Sequence, residues 1–124
     1  MKLFLAIAAV LGGLSVTGGA LASHALQGIL SERALETFGT GIRYQLYHAL
    51  ALLIVALLLG MTEQATAWLT ATGWLFVSGT FLFSGSLYVL SLSGIKAFGP
   101  VTPIGGVALI VGWFCLLISA LRLP

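Results

Sequence analysis

Charge is what this chain has least of. Among its 124 residues only five are Lys or Arg and three are Asp or Glu: Lys2, Glu32, Arg33, Glu36, Arg43, Glu63, Lys96 and Arg122. The net charge of +2 and the isoelectric point near 9.0 come from these scattered cations. Nucleic-acid binding needs a clustered basic stripe, so nucleic acid is excluded as a partner. Cysteine is nearly absent too. Cys115 alone rules out an intrachain disulfide and any CxxC redox or metal motif, and within WFCLL it reads as a small packing residue. No carboxylate falls inside the long apolar stretches, which argues against proton coupling through a membrane acid.

What remains is apolar. Hydrophobic residues make up 60% of the chain, and the mean hydropathy is +1.15. The eight charges leave residues 3–31, 44–62, 64–95 and 97–121 uncharged. Each stretch approaches or exceeds the ~20 residues a helix needs to cross a bilayer. The expectation is an all-α, four-helix transmembrane bundle with short loops, forming a single integral membrane domain over 1–124. Its helices are predicted at about 2–26, 41–59, 63–92 and 103–121.

The first span poses a choice. Lys2, the apolar run Leu3–Leu11 and Ala20-Leu21-Ala22 resemble a signal peptide with its cleavage site. Against this, Ala8, Gly12, Ser15, Gly19 and Ala22 recur every three or four residues, a small-residue face suited to close helix packing in lipid. The retained helix is the favoured reading. It should meet helix 2 through that face or its neighbour Gly13/Thr17/Ala20.

Residues 27–40 change character. Ser31 can cap a helix with Glu32 at its positive end, Leu35 and Phe38 share a face, and Gly39 can end the turn. A short helix lying in the headgroup layer is one reading and an ordered loop the other. Gly60 should end helix 2, and Thr62 should cap helix 3 ahead of Glu63. Thr102 should cap helix 4 with Pro103 at its first position. Of the sixteen glycines, most lie inside the spans and point to tight helix contacts rather than flexibility. Both termini should lie on one side. Arg33, Arg43 and Lys96 on the opposite side outnumber Lys2 and Arg122, a slight bias toward cytoplasmic placement of 27–40 and 93–101.

Polar residues collect in one leaflet. His24 ends helix 1, Arg43, Tyr44, Tyr47 and His48 open helix 2, Ser84, Ser86 and Tyr88 lie late in helix 3, and Thr102 opens helix 4. The pairs Arg43/Tyr47 and Tyr44/His48 are spaced i,i+4 and adjoin on the helix surface. Such a patch is costly in lipid without partners or water. Arg43 faces an unfavourable dipole in the first turn of the predicted helix 2. Either it finds Glu36, Glu32 or carbonyls ending a neighbouring helix, or it snorkels to phosphate as an interfacial anchor. His24 and His48 are expected in one leaflet on facing helices, hydrogen-bonded between helices. Two histidines alone are a poor metal set, so no metal or cofactor is assigned. The tyrosines equally suit an aromatic belt, and the serines suit backbone bonding.

These same residues carry a resemblance. The segments GGALASHAL (18–26), GIRYQLYHALALL (41–53), FLFSGSLYVLSLSG (81–94) and PVTPIGG (100–106) resemble the YgdD/YwdK-like family of small bacterial membrane proteins. That family is a group of unknown function with four predicted helices. The resemblance implies a multi-pass protein of the bacterial inner membrane, with His24, Arg43, Tyr44, Gln45, Tyr47, His48, Ser84, Ser86, Tyr88, Thr102 and Pro103 as the shared polar and turn positions. Where the family shows GAFGAHAL, this chain has GALASHAL. The expected function is a non-enzymatic module binding lipid headgroups, partner helices or its own copies through the polar leaflet. An oligomeric pathway for a small solute or ion is the alternative.

Overall fold

The computed structural model describes residues 1–124. Four helices follow in order: α1 Lys2–Ser23, α2 Glu32–Met61, α3 Thr66–Ser93 and α4 Val101–Arg122, with a short 3-10 turn at Lys96–Phe98 before α4. Each of the four is long and apolar enough to cross a membrane. Successive helices run antiparallel. Met1 packs beside Gly60, and the Arg122 guanidinium lies 5.7 Å over the Trp68 ring, so both termini share one end.

The helices pair in chain order, α1 on α2, α2 on α3 and α3 on α4. Their shared core holds Phe4, Ala8, Leu52, Val55, Phe76 and Leu109. The outward faces are also apolar, with Val16, Ile54, Phe81, Ile110 and Phe114 all exposed. In water such a surface would aggregate, whereas lipid solvates it.

Helix boundaries differ from the sequence-based expectation in instructive ways. Residues 32–40 are neither a separate interfacial helix nor a loop, because α2 runs unbroken for 30 residues, about 45 Å. The Ser31 hydroxyl does cap it, accepting from the Ala34 amide at 3.1 Å. Gly39 stays helical because one glycine costs only about 1 kcal/mol in a helix. The packing of buried Phe38 on Tyr88, with ring centroids 5.2 Å apart, favours continuation. Gly60 is likewise carried through to Met61.

Helix α1 stops at Ser23, three residues early, and the Gln27 side chain donates from Nε2 to the Ala22 carbonyl at 3.1 Å. Gly28 then turns the chain at φ +78°. Thr62 caps a turn rather than α3: its hydroxyl accepts from the Gln64 amide at 3.0 Å, Thr66 donates to the Glu63 carbonyl at 2.8 Å, and α3 begins at Thr66. Helix α4 begins at Val101, so Pro103 is its third residue. That position is still within the first turn, where the missing amide hydrogen removes no helical bond.

Small residues set the spacing, though not all those expected. Ala8 and Ser15 are buried on the inner face of α1, but Gly12 and Gly19 lie at its edge, and Gly13, Thr17 and Ala20 face outward. The tight α1–α2 contact is at Gly18, where a Cβ would collide with Ile42. The α3–α4 pair is closer. A Cβ on Gly105 would fall 2.8 Å from the Phe83 Cα, and one on Gly79 would fall 3.1 Å from the Leu109 amide nitrogen.

Candidate functional site

A buried polar side chain in lipid must find a partner within the protein. Six of the ten candidate residues do so between helices or along their own helix. Gln45, 5% exposed, donates from Nε2 to the Leu11 carbonyl of α1 at 2.9 Å and accepts at Oε1 from the Tyr88 hydroxyl of α3 at 2.6 Å. One α2 side chain therefore ties three helices. One turn away, Ser84 donates to the Gly41 carbonyl at 2.7 Å. Gly41 is also where the Tyr88 ring passes, and a Cβ there would lie 2.6 Å from the ring. On the other side of α3, Ser86 and Thr102 share a 2.5 Å bond that joins α3 to α4, and Ser86 also bonds the Phe83 carbonyl. Thr102 is consumed in this bond instead of capping α4.

His48 is the deepest of the set. It is buried on the inward side of α2, one residue past Tyr47 and farther from the start of the helix than the other α2 candidates. Its Nε2 receives the Trp113 indole N–H at 3.0 Å, and its Nδ1 lies 2.8 Å from the Tyr44 carbonyl. An indole nitrogen can only donate. Nε2 must therefore accept, and Nδ1 carries the hydrogen and donates to Tyr44. Phe76 closes the site, with its ring centroid 5.2 Å from that of His48 and 5.1 Å from that of Trp113.

The remaining candidates turn outward. His24 sits exposed at the end of α1, thirteen residues beyond Leu11. Because Leu11 is level with Gln45, about 20 Å or more of helix separates the two histidines along the bundle axis. They do not share a level, a correction to the facing-pair expectation. No group of three His, Cys, Asp or Glu side chains comes together. Arg43 is exposed and donates to the Thr40 hydroxyl at 3.1 Å instead of meeting Glu36, Glu32 or a helix end. Its guanidinium reaches back along α2 past Gly39, as a snorkelling side chain does. Tyr44 and Tyr47 are 41% and 52% exposed, with ring centroids 5.7 Å apart. Together with Arg43 they make an outward face typical of the interface between hydrocarbon and headgroups.

Sequence reasoning missed the receiving ends of these bonds. The carbonyls of Leu11 and Gly41 carry no side-chain signal, and Trp113 reads like any belt tryptophan. A polar residue in lipid announces that a partner exists without saying which one.

A bundle of four spanning helices, sealed by interhelical hydrogen bonds and apolar on its outside, defines a multi-pass integral membrane protein. Residues 18–106 match the family described as "Protein of unknown function (DUF423)". The chain is 43% identical over 122 residues to the UPF0382 membrane protein SAB0533 of Staphylococcus aureus, covering 98% of each chain. It is 39% identical, at the same coverage, to the UPF0382 membrane protein YwdK of Bacillus subtilis. The UPF0382 membrane protein SH2409 of Staphylococcus haemolyticus is 40% identical, also across 98% of both chains. The chain thus belongs to the DUF423 family of bacterial multi-pass membrane proteins. No solved structure matches it.

Proposed function

We propose that the protein is a non-enzymatic membrane module that engages phospholipid headgroups through the outward face formed by Arg43, Tyr44 and Tyr47. One observation carries this reading: the polar leaflet divides into spent and free groups. Gln45, His48, Ser84, Ser86, Tyr88 and Thr102 are used inside the protein. The cation and two tyrosines beside them stay exposed at one level of α2. A cation flanked by amphipathic rings is the combination that holds phosphate at a bilayer boundary. A partner helix is the second ligand class that such a lateral face suits. A solute pathway through one copy finds no support, because buried Leu52, Val55, Leu69 and Phe76 fill the interior.

The test is a native mass measurement on protein extracted in mild detergent. Parent protein should retain phospholipid, and Arg43→Gln with Tyr47→Leu should retain fewer lipid molecules per chain while keeping helicity and melting temperature. Equal retention by the double variant would remove the proposed face. A closed ring of copies would point instead to a pathway along the ring axis, and a stoichiometric co-purifying protein to a partner-helix role.

A further inference from the structure

Beyond the lateral face, the end of the bundle holds a cleft of about 500 Å³ between the first turns of α2 and the α3–α4 connection. Arg33 and Thr37 line it from α2, Ser91 and Gly94 from the end of α3, and Lys96 and Gly99 from the connection. The two cations come from segments more than sixty positions apart in sequence, so the fold brings them together. No carboxylate lines the cleft. At about 100° per residue, Glu32 and Glu36 lie roughly 105–145° around α2 from the centre of the Arg33/Ala34/Thr37 stripe, with Glu36 about 60° from Arg33.

The backbone adds to this. Ser31 opens α2 and satisfies the Ala34 amide, while the amides of Glu32 and Arg33 belong to the first turn, which has no helical acceptors. The positive end of a 30-residue helix therefore borders the cleft. Thr37 adds a half-buried hydroxyl. Ser91 is nine-tenths buried, and its hydroxyl donates to the Tyr88 carbonyl at 3.1 Å.

Depth decides what can arrive. Helix α2 is about 45 Å long against a ~30 Å hydrocarbon core, so its first two turns rise to headgroup level. We propose that this cleft binds a phosphate oxyanion carried by an anionic phospholipid headgroup, with Arg33 and Lys96 as its two charged donors. The site deepens the headgroup reading above and rests on it for the lipid source of the phosphate. It uses different residues, so each can fail alone. Arg33 offers a planar fork to two phosphate oxygens, and Lys96 supplies a point charge from the facing loop. Two cations favour a headgroup of net negative charge over a zwitterion, whose own ammonium they would repel.

The experiment measures binding to full-length protein in a neutral detergent by native mass spectrometry and thermal shift. The probes are dioctanoyl phosphatidylglycerol, dioctanoyl phosphatidylcholine and inorganic phosphate. Parent protein should bind the glycerol lipid in preference to the choline lipid. Arg33→Gln and Lys96→Gln should each weaken that binding on the order of tenfold, as expected when a hydrogen bond to a charged group is lost. Lys2→Gln, at the opposite end of the bundle, should leave binding unchanged and control for net charge. Phosphate binding as tight as lipid binding, and lost in the same variants, would keep the oxyanion site but overturn its assignment to lipid. Equal lipid binding by the parent and the folded Arg33→Gln/Lys96→Gln double variant would overturn the proposal outright. The two cations would then serve only the carbonyl end of α3. Because both side chains lie at the surface, the variants should fold, and helicity by circular dichroism verifies it.

Discussion

Gln45 gives the sharpest test of how the bundle is held. Its side chain accepts the Tyr88 hydroxyl at 2.6 Å and donates to the Leu11 carbonyl at 2.9 Å. The two bonds are not equivalent. The Leu11 carbonyl also receives the Ser15 hydroxyl at 2.7 Å, so losing Gln45 leaves it satisfied. Tyr88 is different, since Gln45 takes its hydroxyl hydrogen, with the Ser84 side chain as the other neighbour of that hydroxyl. Tyr88→Phe removes the donor and strands Oε1 of Gln45, at a cost of roughly 1–2 kcal/mol for an unpaired buried acceptor. Gln45→Leu keeps the volume near constant but strands the Tyr88 hydroxyl, which should cost about the same. With both changes no group is stranded, and the double variant should be no worse than either single one. The coupling energy should then be about 1 kcal/mol or more, near the upper part of the range for interhelical bonds in membranes. Reversible unfolding in mixed micelles or bicelles, followed by circular dichroism over the four-protein cycle, measures it. If the two costs add to within about 0.3 kcal/mol, the bond contributes no coupling and the argument fails.

Further outcomes follow from the packing and hydrogen bonds of the other helices. Gly105→Ala should destabilise by at least about 2 kcal/mol, because the added methyl meets the α3 backbone at Phe83, which cannot yield as a side chain could. Gly12→Ala, where nothing lies within 4 Å of the new Cβ, should raise stability by up to about 1 kcal/mol; thermal melts of the pair give opposite signs. Trp113→Phe should cost on the order of 1–3 kcal/mol by leaving the His48 Nε2 without its donor. Adding His48→Phe should recover part of that loss, and an unchanged melting temperature for Trp113→Phe would show that water or lipid replaces the indole.

The four spans were legible because bilayer thickness sets a minimum length that charge-free stretches reveal directly. Helix ends were less so. Gly39 and Gly60 look like terminators in sequence, yet each is overridden by neighbours that only the fold supplies: Phe38 on Tyr88, and Met1 beside Gly60. Thr102 looks like a cap, but Ser86 outcompetes the α4 backbone for its hydroxyl. Within the candidate site, composition marked Ser84 and Tyr88 as needing partners and the family resemblance added Gln45; all three find them on other helices. Composition left Arg43 open between an acid or helix-end partner and an interfacial anchor; it takes the Thr40 hydroxyl, three residues back, and stays exposed as an anchor would. The Arg33/Lys96 cleft was invisible because its halves are read sixty residues apart, and each cation alone resembles an ordinary interfacial charge.

The chain-order pairing of the helices has a consequence for synthesis. Helix α2 finds α1 already in the membrane, and α3 and then α4 each dock on the helix made just before, so no pairing must wait for a distant segment. Gln45 gains its first bond, to Leu11, as soon as α1 and α2 meet, and its second when α3 brings Tyr88. His48 is the exception. Its Nε2 has no donor until Trp113 arrives on the last helix, so a bundle without α4 leaves that imidazole nitrogen unpaired. Docking of α4 is therefore the step that completes the hydrogen bonding of the bundle.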